Sequence, residues 1–175
     1  ADTGSVLYEK EAEKKLSMAS TTKIMTALLA LEEAEKEGDP TVTVTEEMVA
    51  VEGSSMGLRA GDELPLTGLA AGMLLASGND AANAVALYLD GSQEAFAERM
   101  NRRALEIGMS NTHFVTPSGL DDEAHYSTAF DMALLAREAL KNSKFRELAS
   151  SGTYQIAFDN PEKKVQYTNH NKLLW

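Results

Sequence analysis

Ser20 and Lys23 are the two residues of this sequence whose types and spacing most directly indicate chemistry. They open the run "MASTTKIMTALLAL", in which Ser and Thr are followed by an apolar helical pattern. Acidic residues are favoured in the first turn of a helix, because the unpaired backbone N–H groups there carry partial positive charge. Lys23 is therefore unexpected at this place, where a capping box would have Glu or Gln three residues after the cap.

A buried lysine beside a serine has a chemical use. The apolar run predicts that this turn is buried, and burial together with the positive helix end lowers the pKa of a lysine amine. Residues i and i+3 share one helix face, so a neutral Lys23 can reach the Ser20 hydroxyl. A hydroxyl, a base within hydrogen-bond reach and nearby backbone N–H groups are the parts of an activated serine nucleophile. The alternative is that Ser20 only caps the helix, its hydroxyl accepting a backbone N–H bond.

A second polar segment, Ser77-Gly78-Asn79, interrupts two apolar helical runs. Polar groups on a buried turn need hydrogen-bond partners, and a position facing Ser20 and Lys23 would supply them. The alternative is an ordinary helix–helix turn, in which Asn79 or Asp80 is the N-cap of the next helix.

The elements that position these residues predict an α+β fold. One strand comes first, a helical middle follows and strands return at the end. No internal repeat, low-complexity tract or linker divides residues 1–175, which we interpret as one domain. The predicted strands are Gly4–Lys10, Thr41–Thr45 and the runs "GTYQIAF" and "KKVQYTN" around the turn "DNPE". The first predicted helix runs from Ser20 to about Lys36, and a short helix opens the run "EEMVAVEGSSMGLRAGDELPL" before Gly-rich loops. Two apolar helices follow, at Thr67–Ala76 and in "AANAVALYL". The last two predicted helices are "EAFAERMNRRALEIG", which Ser92 caps, and "AFDMALLAREALKN", which begins at Ser127 or Thr128.

The composition excludes several classes of protein. The chain has 175 residues, of which 43% are hydrophobic and 25% charged, and these are globular values. A formal net charge of −11 argues against nucleic-acid binding. There is no Cys, and His113, His125 and His170 show no ligand spacing, so we expect no disulfide, no metal site and no cofactor. His113 and His125 are expected in loops as structural hydrogen-bonding residues. No run approaches the ~20 apolar residues of a membrane span.

With both polar motifs in view, the chain resembles the serine-acylating family of penicillin-binding proteins and β-lactamases, whose motifs are S-x-x-K, S-x-N and K-T-G. Within that family it looks most like the low-molecular-mass penicillin-binding proteins, the D-alanyl-D-alanine carboxypeptidases. The resemblance covers nearly the whole chain and is carried by the runs "GSVLYEKEAEKKLSMASTTKIMTALLALE", "GSSMGLRAGDELPLTGLAAGMLLASGNDAANAVA", "FAERMNRRALEIGMSNTHFVTPSGLDD" and "HYSTAFDMALLAR".

The resemblance implies a transpeptidase-like fold, a helical subdomain with an antiparallel sheet, and a role for each motif residue. Ser20 would attack the D-Ala-D-Ala carbonyl of a peptidoglycan stem peptide to form an acyl-enzyme, and Lys23 would take its proton. Ser77 would relay a proton to the departing D-alanine, and Asn79 would hold Lys23 and the substrate amide. β-Lactam antibiotics would trap Ser20 as a stable ester, and the protein would act outside the cytoplasmic membrane.

The third motif of that family, K-T-G, does not occur in the 175 residues. In the family this strand binds the substrate carboxylate and gives one of the two oxyanion N–H groups. We therefore expect an incomplete sheet and a catalytic domain truncated at its C-terminus. Losing one oxyanion donor typically costs on the order of 10²–10³ in rate, so this chain alone is expected to be impaired unless a complementary C-terminal chain carries K-T-G.

Two other functions remain open on the sequence. A class A β-lactamase uses a glutamate to activate water, and Glu138 and Asn142 have the corresponding E-x-x-x-N spacing, although a solvated helix face explains them as well. A non-catalytic module that binds peptidoglycan stems or a protein partner would also lack K-T-G. Such a binder has no need of a destabilising buried lysine.

Overall fold

The computed structural model of the chain describes residues 4–174. They form seven α-helices and two two-stranded antiparallel sheets, which confirms the α+β class. The helices are α1 Lys23–Glu37, α2 Glu46–Val49, α3 Leu66–Ala76, α4 Asn79–Asp90, α5 Gln93–Ile107, α6 Ala129–Ala139 and α7 Ser143–Ser150. The strands are β1 Thr41–Thr43, β2 Glu63–Pro65, β3 Thr153–Phe158 and β4 Lys163–Thr168.

Helix α1 lies at the centre of the fold because its first half is apolar on nearly every side. It packs against α3 and also contacts α4, α5, α6 and α7. Met25, Leu28 and Leu31 are almost completely buried along it. The helix ends at Gly38, whose φ of 76° is the left-handed C-cap conformation that glycine adopts most easily.

The two sheets flank this helical centre. In the first, Val42 of β1 pairs with Leu64 of β2, and in the second, Ile156 of β3 pairs with Val165 of β4. An isolated bridge between Glu63 and Asn160 connects the two sheets. Strands β3 and β4 confirm the two predicted terminal strands, while β2 lies in a segment predicted as loop.

The predicted strand Gly4–Lys10 is wrong. These residues are irregular, and Val6, Leu7 and Tyr8 are exposed. A strand needs a neighbour for its backbone N–H and C=O groups, and within residues 4–174 no strand pairs with this segment. Helix α7 was not predicted, because its eight residues are too few to show a clear periodic pattern.

The helix caps follow the sequence closely. Ser92 accepts a hydrogen bond from the backbone N–H of Ala95 at the start of α5, and Thr128 does the same from Asp131 at the start of α6. Gly108 closes α5 in the left-handed conformation. Among the helices of residues 4–174, none has both the length and the apolar character required to cross a bilayer.

Candidate active site

Ser20 lies in a 3-10 turn, Ala19–Thr22, immediately before α1. The N-cap position of α1 is Thr22, and no side chain caps it, so the interpretation of Ser20 as a capping residue is wrong. Ala19 has a positive φ of 46°, an uncommon conformation for a residue with a side chain. The turn leaves Ser20 exposed to solvent, where a ligand can reach its hydroxyl.

Lys23 places its amine beside the Ser20 hydroxyl. The Lys23 Nζ atom is 3.1 Å from Ser20 Oγ and 2.9 Å from the carbonyl oxygen of Ser118. Only 2% of Lys23 is exposed. Burial lowers the pKa of Lys23 from 10.5 to about 8, and the more distant carboxylate of Asp80 opposes that shift. The structure therefore brings the Lys23 amine to the Ser20 hydroxyl, as predicted, and burial weakens the binding of a proton to that amine.

The turn between α3 and α4 carries Ser77 and Asn79. Ser77 is half-buried with a left-handed φ of 56°, and its hydroxyl has no hydrogen-bond partner within residues 4–174. The Asn79 amide donates to the carbonyl of Glu52 at 2.7 Å rather than contacting Lys23 as the resemblance suggested. The Asn79 side-chain oxygen accepts no hydrogen bond from a described residue, so it remains available to a ligand.

Asp80 is an important residue of this region that the sequence assigned only to helix capping. It is 3% exposed, and its carboxylate organises the loop between α2 and β2. A carboxylate surrounded by backbone N–H groups is a strong, charge-assisted hydrogen-bond centre. Its donors are Ser55 Oγ (2.6 Å) and the backbone N–H groups of Met56 (3.0 Å), Gly57 (3.1 Å), Leu58 (3.0 Å) and Ala81 (2.9 Å).

The segment Val115–Leu120 closes the buried side of the site. Its Ser118 carbonyl accepts from Lys23, and its Pro117 carbonyl accepts from Thr26 Oγ1 of α1 at 2.7 Å. Gly119 has a φ of +84°, and a Cβ there would collide with the carbonyl of Ala19. Only glycine lets this segment approach the Ser20 turn so closely. The only sequence signal for this close approach is the glycine in the run "PSGL".

Comparison with known proteins decides the family. The profile of the D-alanyl-D-alanine carboxypeptidase family matches residues 1–175.

The chain belongs to the D-alanyl-D-alanine carboxypeptidase family.

Two curated carboxypeptidases illustrate the relationship. The chain is 40% identical to the D-alanyl-D-alanine carboxypeptidase DacF of Bacillus subtilis, over 99% of this chain and 45% of the relative. It is also 40% identical to DacC of Escherichia coli, over 99% of this chain and 44% of the relative. The chain therefore spans less than half the length of these two carboxypeptidases.

Solved structures of the family share the fold. The Streptomyces K15 DD-transpeptidase superposes with a TM-score of 0.90 at 33% identity, over 99% of this chain and 71% of that one. Penicillin-binding protein 6B from Escherichia coli superposes with a TM-score of 0.86 at 30% identity, over 98% of this chain and 55% of that one. The predicted penicillin-binding-protein-like fold is confirmed.

Glu138 and Asn142, the two residues with the β-lactamase-like spacing, form ion pairs and hydrogen bonds away from Ser20. Glu138 pairs with Arg103 at 3.0 Å and with Lys141 at 2.6 Å, and these cations, Lys141 foremost, lower the pKa of its carboxyl. Asn142 caps α7 and donates to Glu35. Neither residue contacts Ser20 or Lys23, which agrees with the interpretation of a solvated charged helix face. No cluster of three His, Asp or Glu residues that could hold a metal ion occurs in the described part of the chain.

Proposed function

We propose that this chain carries the acylation machinery of a serine-type D-Ala-D-Ala carboxypeptidase. The observation that supports it most is the buried Lys23 amine 3.1 Å from the exposed Ser20 hydroxyl, with a pKa lowered to about 8. A nucleophile beside a base with a pKa near the working pH is the arrangement that nucleophilic catalysis requires. Family membership supplies the substrate class, a peptidoglycan stem peptide ending in D-Ala-D-Ala.

The proposed reaction has two halves. In the first, Ser20 Oγ attacks the carbonyl carbon of the penultimate D-alanine while the neutral Lys23 amine accepts the hydroxyl proton. The C–N bond then breaks, and a proton passes to the leaving D-alanine amine. In the second half, water adds to the ester carbon and the bond to Ser20 Oγ breaks, which releases the shortened peptide and restores the hydroxyl.

Two polar groups at the α3–α4 turn fit supporting roles. The Ser77 hydroxyl, which no described residue engages, is free to pass the proton to the leaving amine. The open Asn79 oxygen can accept from the substrate amide, while its nitrogen remains bonded to Glu52. No cofactor or metal enters this scheme.

The oxyanion that forms in each half needs backbone donors. In the turn Ala19–Thr22 the first internal N–H bond runs from Thr21 to Met18, which leaves the Ser20 N–H without an acceptor inside the turn. We assign that N–H as one donor. The second donor would come from a K-T-G strand, which the 175 residues do not contain. We therefore propose that this chain tested alone acylates slowly, and that a complementary chain with K-T-G would raise its rate.

β-Lactams would acylate Ser20 by the same first half-reaction and remain bound as the ester. A peptidoglycan substrate places the activity outside the cytoplasm, on the outer face of the cytoplasmic membrane, in the periplasm or in a secreted form.

Intact-mass analysis after incubation with a penicillin tests the proposal. We expect one covalent adduct on the wild-type chain and none on Ser20→Ala. Ser17→Ala is the matched control, because Ser17 is an exposed serine three residues earlier and its variant should still be labelled. Adduct formation by Ser20→Ala would remove this serine from the mechanism. Release of D-alanine from a D-Ala-D-Ala peptide, compared with hydrolysis of a β-lactam, then separates a carboxypeptidase from a β-lactamase.

A further inference from the structure

The Ser118 carbonyl constrains the direction in which Lys23 can accept a proton. A neutral amine has two N–H bonds and one lone pair. When one N–H is held by a fixed acceptor, fewer orientations remain for the lone pair, and the Ser118 carbonyl oxygen is such an acceptor at 2.9 Å. The position of this carbonyl therefore affects whether Lys23 presents its lone pair to Ser20.

His125 holds the segment that carries this carbonyl. Its Nδ1 atom accepts from the backbone N–H of Val115 at 3.0 Å and from that of Thr116 at 3.3 Å. Its Nε2 atom lies 2.8 Å from the hydroxyl of Thr22. Thr22 directly precedes Lys23 and ends the turn that contains Ser20. The His125 ring therefore connects this turn to the segment Val115–Leu120.

The contacts of the ring define its tautomer. Two backbone N–H donors face Nδ1, so Nδ1 must carry the lone pair and Nε2 the hydrogen. The Nε2–H group therefore donates to the Thr22 hydroxyl. His125 is 2% exposed, and its ring meets Phe114 edge-on, with ring centroids 5.8 Å apart. A buried ring with both nitrogens bonded has one orientation.

We propose that His125 is a positioning residue, which in its neutral form holds the Ser118 carbonyl against Lys23 and so directs the lysine lone pair toward Ser20. The proposal rests on the proposed function only in the assignment of Lys23 as the base. Thr26 provides a separate anchor for the same segment through Pro117, so loss of His125 should loosen the segment without releasing it completely.

The charges around His125 are consistent with a neutral ring. Burial, the largest effect, lowers the pKa of His125 below 6.5, and His113 acts in the same direction. Asp122 and Asp121 oppose this shift. A protonated ring would point an N–H at the N–H groups of Val115 and Thr116, which would break both bonds to the segment.

The test is an NMR titration of the Lys23 side chain in this chain and its variants. His125→Gln keeps an amide near Thr22 but has no acceptor at the Nδ1 position. We expect water to reach Lys23 and its pKa to rise from about 8 by about one unit or more, since burial is the main cause of the lowered value. His125→Asn returns an acceptor near the Nδ1 position and should recover part of that shift.

The matched control is His113→Gln. His113 belongs to the same loop region, but its ring is exposed and Nδ1 contacts the carbonyl of Ala124, so the Lys23 pKa should not change. A folded His125→Gln chain with an unchanged Lys23 pKa overturns the proposal. If that variant does not fold, Thr22→Val, which removes only the Nε2 partner, takes its place with the same expected direction, and an unchanged pKa again overturns it.

This titration is independent of the proposed function, because it requires no turnover. If the wild-type chain forms no penicillin adduct, the proposed function fails while the Lys23 titration still decides the role of His125. If adducts form, the acylation rate of His125→Gln should fall about tenfold or more, with recovery in His125→Asn. A purely structural histidine would lower stability without moving the Lys23 titration.

Discussion

Lys23 lies beside Ser20 without a carboxylate to hold its proton. The acceptors of Lys23 Nζ within the described residues are the Ser20 hydroxyl and the Ser118 carbonyl, both uncharged. Asp80 acts on it only as a more distant charge. A buried lysine with an ion-pair partner would stay protonated, whereas this amine can lose its proton near neutral pH.

The acylation rate should therefore depend on pH through Lys23. With a pKa of about 8, we expect the rate constant for penicillin acylation to rise about tenfold per pH unit below that value and to level off above it. Stopped mixing followed by intact-mass analysis between pH 6 and 10 measures this curve. A midpoint near 10.5, or a flat profile, would contradict Lys23 as the base. Burial lowers the pKa of His125, so protonation of its ring bears on the acid end of the curve.

Replacing Lys23 with Met should separate activity from stability. The folded chain binds the Lys23 proton more weakly than the unfolded chain, so below pH 8 the lysine destabilises the fold by about 3 kcal/mol. That cost disappears as pH rises from about 8 to 10.5. We expect Lys23→Met to lack this pH-dependent rise in unfolding free energy and to form no penicillin adduct. Loss of the bond to the Ser118 carbonyl offsets about 1–3 kcal/mol of the gain.

Urea unfolding of both proteins at pH 7 and pH 10 measures the difference. Lys36→Met is the control, because Lys36 is an exposed lysine on the same helix. A parallel pH dependence in wild type and Lys23→Met would show that the Lys23 pKa is not lowered by folding.

The sequence predicted the local part of this site and missed the distant part. The Ser20–Lys23 contact was predictable because it needs only helical spacing and an apolar run. The partner carbonyl at Ser118 is 95 residues away, and a backbone carbonyl has no residue type to recognise. His125 was predicted as a structural hydrogen-bonding residue, but its partners depend on how the segment 115–120 folds back on α1.

The same distinction applies to the fold. Helices such as α1 and α5 were predicted because their pattern and caps lie within the element. The segment Gly4–Lys10 has a strand-like pattern, but a strand forms only beside a partner, and the pattern cannot supply one. Strand β2 is three residues long and exists through its pairing with β1.

Asp80→Asn should change both stability and the pH profile. The amide removes the charge that five hydrogen-bond donors face, so we expect a loss of roughly 2–4 kcal/mol. Asp80 raises the pKa of Lys23, so its neutralisation should move the midpoint of the acylation profile to lower pH.

Asp62→Asn is the matched control for this prediction. Asp62 is also 3% exposed and accepts hydrogen bonds from the Arg59 backbone N–H and from Lys163 Nζ, but it is not among the causes of the Lys23 pKa shift. Its variant should lose stability without shifting the profile. An Asp80→Asn profile that stays in place, or moves to higher pH, would contradict the electrostatic coupling.

Gly119→Ala should damage the site through the backbone. A Cβ at position 119 meets the Ala19 carbonyl, so either the Ser20 turn or the Ser118 carbonyl must move away from Lys23. Overpacking of this kind costs typically 1–3 kcal/mol, in addition to roughly 1–2 kcal/mol for a left-handed residue with a side chain.

Gly108→Ala isolates the second cost, because Gly108 has a φ of +94° and open space around it. We expect acylation to slow in Gly119→Ala and to remain at the wild-type rate in Gly108→Ala, as measured by intact mass at pH 8. Equal rates and equal unfolding free energies for the two variants would show that the approach of segment 115–120 to Ala19 does not hold the site together.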